Sequence, residues 1–308
     1  ITQNRKSLWI GSVIKFVQVT HRLQGFRLIF RRFEAVDFLR LNAFSLVLFC
    51  FGGSVYTPLC RKCPPEFGCI SQTGGCAMQN DETQSFLADE TGQPSNAWLN
   101  EQALLLFNFF GPAALNPKGG FWALGRTGEP LRPACAAQEV QPLHNATRFV
   151  HCYSWAHRFG FAGAQRMIDQ GLEFIWQQHR DAQHGGYYWA VSNDGVIDPA
   201  KQAYGHAFVL LAAAAAKAVM HPLADRLLDD IVEVIEQRFW EPERGASREE
   251  FSADWQALSA YRGQNSNMHL TEALIAAFAV TKDRVFLQKA EEIAHLIIDR
   301  HARSAQWR

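Results

Sequence analysis

Net charge is the first thing this chain lacks. Its 308 residues carry 30 basic and 30 acidic side chains, which leaves no overall field to draw it to nucleic acid or to an anionic surface. No basic, aromatic-laced patch follows residue 97, so nucleic-acid binding has no support. There is no phosphate-cradling glycine loop and no dinucleotide fingerprint, which removes the common nucleotide-dependent classes. The apolar run LNAFSLVLFCFGGSVY (41–56) is shorter than the ~20 residues that span a bilayer. Basic residues precede it in the manner of a signal segment, yet no small-residue cleavage site follows. Four cysteines stand at Cys60, Cys63, Cys69 and Cys76, but only the first two make the short pair that a structural zinc site repeats. No metal and no cofactor are therefore expected, and no membrane partner.

An initiating methionine is also missing from the front of the chain; the first Met is Met78. Residues 1–77 carry ten Lys/Arg against three Asp/Glu and five of the seven cysteines, while the rest of the chain is acidic. The expectation is that 1–77 is an atypical basic, Cys-rich extension outside the native domain. On that reading Met78 is the biological start and 78–308 is the N-terminal portion of a helical domain. N-terminal sequencing of the native protein beginning upstream of Met78 would contradict it.

What is present is apolar material, 48% of residues with 12% aromatic, enough for a packed domain. From residue 97 onward apolar side chains recur at spacings of three and four, as in Met167, Leu172, Ile175 and Trp176. The spacing predicts helices over 97–110, 146–159, 163–179, 201–219, 222–239, 266–280 and 283–302. AGAQRMIDQGLEFIWQQHR from Ala162, PLADRLLDDIVEVIEQRFW from Pro222 and DRVFLQKAEEIAHLIIDRH from Asp283 are versions of one unit, about 60 residues apart. Each follows a preceding helix after a short turn, so the chain repeats a helix–turn–helix hairpin with long loops between hairpins. Two of those loops, KGGFWALGRTGEP (118–130) and HGGYYWAVSNDG (184–195), combine glycine pairs with aromatics, and the second predicts a short β-hairpin. Short turns on one side and aromatic loops on the other suggest an α/α toroid whose loops line a central mouth suited to carbohydrate.

Several motifs then carry a resemblance: GGFWALGRTGEP, the Arg of ATRFVHCYSWA, GGYYWAVSNDG, KQAYGHAFVLLA, RFWEP and YRGQNSNMHLTEALIAAF, which together cover about residues 97–302. In order and spacing they resemble the N-acylglucosamine 2-epimerase family, which also holds cellobiose 2-epimerases and the mannose and sulfoquinovose isomerases. YRGQN-x-NMH and RFWEP look most like the mannose isomerase branch. The resemblance implies an all-α fold, a partial (α/α)6 barrel of about seven helices with short β-hairpins in the long loops. It implies a cytoplasmic, cofactor-free enzyme on a monosaccharide, with homo-oligomerisation open. The family's late helices bring a second catalytic His in a Gly-His-x-x-Glu-Trp-like setting that this chain does not contain, so the chain looks C-terminally truncated.

Interconverting an aldose and its ketose, or inverting C2, requires removing the proton beside the carbonyl. A base of near-neutral pKa can take that proton and return it, and imidazole fits at about 6.5. The enediolate that forms needs a fixed cation or hydrogen-bond donor at oxygen. His269 and Glu272, three apart on a helix, share one face, so the carboxylate can orient the ring. Resemblance makes His269 the acid/base and Glu272 its partner. It gives Arg148 the sugar's O1/O2 region and makes His206 a ligand or auxiliary acid/base. Tyr204, Trp189 and Asn267 are pocket-lining candidates. The expected activity is a mannose/fructose-type isomerisation; the alternatives are a 2-epimerase of N-acylglucosamine or cellobiose, or a non-catalytic sugar-binding remnant.

Overall fold

The computed structural model describes residues 96–132 and 139–306. The expected boundary at 77–78 and the Cys60–Cys76 cluster lie outside the described residues. The chain divides into two compact units, Ile1–Ala103 and Leu104–Arg308. Of the first, the described part is the opening of helix α1 (Asn96–Ala114). The second holds everything discussed below.

After the rest of α1 come six helices paired as three hairpins: α2 (Leu143–Arg158) with α3 (Ala164–Phe174), α4 (Ala203–Ala218) with α5 (Ala224–Val234), and α6 (Gln264–Thr281) with α7 (Arg284–Ala294). α2, α4 and α6 pack side by side as an inner layer, and each carries its own hairpin partner on the outside. This is an arc of an α/α barrel, and all seven expected helices are present among the described residues. The expected first helix extends four residues further, through Gly111 and Pro112 to Ala114. Pro112 has no N–H to give the Asn108 carbonyl and its ring crowds that carbonyl, so the helix closes two residues later. Here the Tyr153 hydroxyl also donates to the Phe107 carbonyl at 2.8 Å.

The sequence of each helix fits its layer. α4 is apolar all round, AYGHAFVLLAAAAAKA, and almost every residue from Gly205 to Ala216 is buried, as a helix with neighbours on every side must be. α3 and α5 are amphipathic: Met167, Ile168, Gly171 and Leu172 on one, Leu227, Leu228 and Ile231 on the other form the buried stripes. Gly171 lets α3 approach closely, since a Cβ there would lie 2.5 Å from Val150 Cγ2. Each outer helix ends in a wider π-helical turn, Ile175–His179, Ile235–Phe239 and His295–Ala302, and the first two begin 60 residues apart. The sequence pattern reads straight through these turns as ordinary helix.

The long loops carry the strands. β2 (Ala190–Ser192) pairs with β3 (Gly195–Asp198) across Asn193–Asp194, the expected hairpin, and β1 (Gln141–Pro142) adds to β2. β4 (Lys201–Gln202) pairs with β7 (Glu250–Phe251), and β5 (Trp240–Glu241) with β6 (Ala246–Ser247). In the 118–130 loop isolated bridges join Leu115 to Phe121 and Leu124 to Pro130. β1 and β4 lead directly into α2 and α4, so the loops gather at the N-terminal ends of the inner helices. Among the described residues no helix is long and apolar enough to cross a membrane.

Candidate active site

The inner helices start at Leu143, Ala203 and Gln264, so residues 148, 208 and 269 occupy the same position in successive hairpins. Arg148, Phe208 and His269 fill it, and they meet. The Arg148 guanidinium donates to the Tyr204 hydroxyl at 2.7 Å and lies over the Phe208 ring, 4.7 Å from its centroid. The His269 ring stands edge-on to Tyr204, with centroids 5.2 Å apart at 88°, and packs against Phe208 at 4.7 Å. Tyr204 and Phe208, one turn apart on α4, are thus the shared floor between a cation on α2 and an imidazole on α6.

Glu272, one turn beyond His269, places Oε2 3.2 Å from His269 Nδ1. Burial pushes the Glu272 carboxyl up, but the His269 hydrogen bond and the charges of His151 and Arg148 outweigh it and hold it below its ordinary value. An ionised carboxylate only accepts, so His269 Nδ1 carries the proton and Nε2 is the basic nitrogen. Burial raises the Tyr204 phenol above its ordinary range despite Arg148, so it stays a hydroxyl. Trp189, from the loop before β2, stacks on His144 at 5.1 Å and 24°, and stands edge-on to Tyr204 at 6.1 Å. Arg148, Tyr204, His269, Glu272 and Trp189 are therefore brought together.

His206 and Asn267 are placed elsewhere, and in matching roles. His206 is buried; its Nδ1 donates to the Gln202 carbonyl at 2.8 Å and its Nε2 accepts from the Tyr187 N–H at 3.0 Å. Both ring nitrogens are thus occupied by backbone, and burial depresses its pKa to about 3, so the ring is neutral. Asn267 Oδ1 accepts from the Ser247 N–H at 2.8 Å, and its Nδ2 donates to the Gly263 carbonyl at 2.8 Å. Each side chain anchors the loop that precedes its own helix. A histidine flanked by small residues at a helix start reads the same in sequence whether it faces a cavity or a loop.

Sequence reasoning passed over two residues on α2. His144, Arg148 and His151 recur at i, i+4 and i+7, one stripe of a helix. His144 is half-buried between Trp189 and Tyr204, and burial together with Arg148 lowers it to about 4. The sequence signal for both is the helical stripe itself. Among the described residues no group of three His, Cys, Asp or Glu side chains could hold a metal ion.

Residues 119–308 match the family model described as N-acylglucosamine 2-epimerase (GlcNAc 2-epimerase). The chain belongs to the N-acylglucosamine 2-epimerase family. Within that family it is 43% identical over 215 residues to the D-mannose isomerase of Thermobifida fusca, covering 69% of this chain and 51% of that protein. It is 41% identical over 206 residues to the D-mannose isomerase of Pseudomonas cannabina pv. alisalensis, covering 67% and 48%. Among solved structures, a D-mannose isomerase superposes with a TM-score of 0.62 at 30% identity, over 68% of this chain and 52% of that one. A cellobiose 2-epimerase from Bacillus thermoamylovorans, at 19% identity, shares the fold with a TM-score of 0.59, over 67% and 56%. The chain spans about half the length of the curated relatives it matches.

Proposed function

We propose that this chain carries part of the site of an aldose–ketose isomerase acting on an uncharged monosaccharide of the mannose/fructose type. The observation that carries the reading is the convergence of Arg148 and His269 on Tyr204, with Glu272 behind the imidazole. In this reading His269 Nε2 takes the proton from C2 of the open-chain aldose and returns it to C1. A second proton moves from O2 to O1, so that the enediol collapses to the ketose and the atoms balance. Arg148 and the Tyr204 hydroxyl stabilise the charge that develops on the sugar oxygens. Trp189 and His144 offer a flat wall to the C–H face of the ring. The curated relatives named D-mannose isomerase support the sugar. A cytoplasmic setting and self-association belong to the same proposal, as does the assignment of 1–77 to an extension outside the domain.

The test is incubation of the purified chain with mannose in deuterated water, with product analysis and a binding isotherm. Fructose carrying deuterium at C1 is expected to the extent that the imidazolium proton exchanges with solvent before it is returned, and His269→Asn is expected to lower turnover at least ~100-fold, the scale of a lost acid/base group, while mannose still binds. Glucose as the product would replace isomerisation by 2-epimerisation. Binding without turnover would leave a sugar-binding protein, and turnover within ~3-fold of wild type in His269→Asn would remove His269 from the chemistry.

A further inference from the structure

We infer that His151 is a positioning residue of this site, an imidazole that faces Glu272 across the inner layer and keeps that carboxylate ionised behind His269; the inference rests on the site proposed above.

The argument starts from register. Position 148 of α2 and position 269 of α6 both touch Tyr204 and Phe208, which fixes how far apart the two helices stand at that level. Three residues further along, each helix presents the next side chain of the same face. Those residues are His151 and Glu272, and the equivalent residue between them on α4 is the buried Leu211. Core packing alone would be served by another leucine at 151. Instead the position holds an imidazole whose Nδ1 is buried and has no hydrogen-bond partner among the described residues. A polar atom left in that state costs stability, so its presence calls for a reason other than packing.

Electrostatics supplies the reason. Burial pulls the His151 imidazole below its ordinary pKa, and the Glu272 charge pulls it back up. In return His151 favours the ionised form of Glu272, alongside His269 on α6 and Arg148 on α2, while Tyr204 on α4 feels the same carboxylate. A proton entering this group on acidification is drawn to the imidazole by the carboxylate. Without the imidazole, Glu272 protonates at higher pH and loses its role as acceptor for His269 Nδ1.

The experiment uses the whole chain and two variants, His151→Leu, which copies Leu211, and His151→Gln, which stays polar but cannot be protonated. Carbon-detected NMR follows the Glu272 carboxyl with pH, and mannose binding is measured over the same range. In both variants Glu272 is expected to titrate at higher pH than in wild type, and the acid limb of mannose binding to move up with it. His151→Leu is expected to unfold no more easily than wild type at neutral pH. A folded variant in which the carboxyl titration and the acid limb are both unchanged overturns the inference, as does a loss of stability with no movement of either. Failure of the wild-type chain to bind any sugar would count against the site reading alone, because the carboxyl titration needs no sugar.

Discussion

Replacing Lys201 by methionine tests a fully buried ion pair. The Lys201 and Asp181 side chains are both 0% exposed, and Nζ lies 2.6 Å from Asp181 Oδ2. Nζ also donates to the Gly185 carbonyl and sits 5.3 Å from the Tyr188 ring and 4.9 Å from that of Trp255. Burial pushes the Asp181 carboxyl up, but the Lys201 ammonium and the N–H groups of His184 and Gln183 bring it well below the usual carboxylate range. Methionine refills most of the lysine stem, so the cavity contribution is small. What remains is a carboxylate stripped of its cation in a dry site, and breaking one side of a buried pair costs about 3–5 kcal/mol. At about 2–4 °C per kcal/mol for a domain of this size, the thermal midpoint falls by about 6–20 °C. Urea denaturation followed by circular dichroism and tryptophan fluorescence measures the loss. Adding Asp181→Asn to Lys201→Met removes the orphaned charge and recovers part of it, since the new side-chain amide keeps an acceptor for the Gln183 and His184 N–H groups. A loss below about 1 kcal/mol in the single variant, or a double variant no more stable than the single, refutes the reasoning.

Two further outcomes follow from the same physics. Burial holds His144 and His179 at about 4 and His206 at about 3, so the folded state binds fewer protons than the unfolded chain between those values and 6.5. Their depressed pKa values leave stability intact above about pH 6.5 and erode it as pH falls, with a limiting slope for three groups of about 4 kcal/mol per pH unit; stability that stays flat from pH 7 to 5 would contradict this. Met220 is 90% exposed at φ 58, in the turn where the preceding hairpin has Gly160 at φ 77. Met220→Gly is expected to stabilise by about 0.5–1 kcal/mol in the same denaturation assay, and a destabilisation would show that the methionine makes contacts its exposure does not suggest.

The helices were legible because their apolar residues keep a helical period, and the hairpin order because the 60-residue repeat is visible in the outer helices. His269 and Glu272 were legible as a pair from their spacing, and Arg148 from a charge set among apolar neighbours. His206 and Asn267 show where sequence stops. Both sit in the first turn of an inner helix, as Tyr204 does, yet they hold the Tyr187 and Ser247 N–H groups while Tyr204 meets Arg148. Which way a first-turn side chain faces depends on the loop folded over it, and no local pattern records that. The same limit hid the Lys201–Asp181 pair: Lys201 reads as the opening of the expected 201–219 helix and Asp181 as loop just past the 163–179 helix.

The wider turns that close the outer helices have a consequence for insertions and deletions. A π-helical turn absorbs one residue more than the α-helix would, inside a continuous helix. Ile175–His179 and Ile235–Phe239 absorb it at the same point of successive hairpins, so they work as spacers that keep the hairpins in phase. Removing one residue from Ile235–Phe239 would not shorten a loop. It would turn the helix end by about 100°, present Trp240 in the wrong direction, and pass that error to the segment that delivers His269.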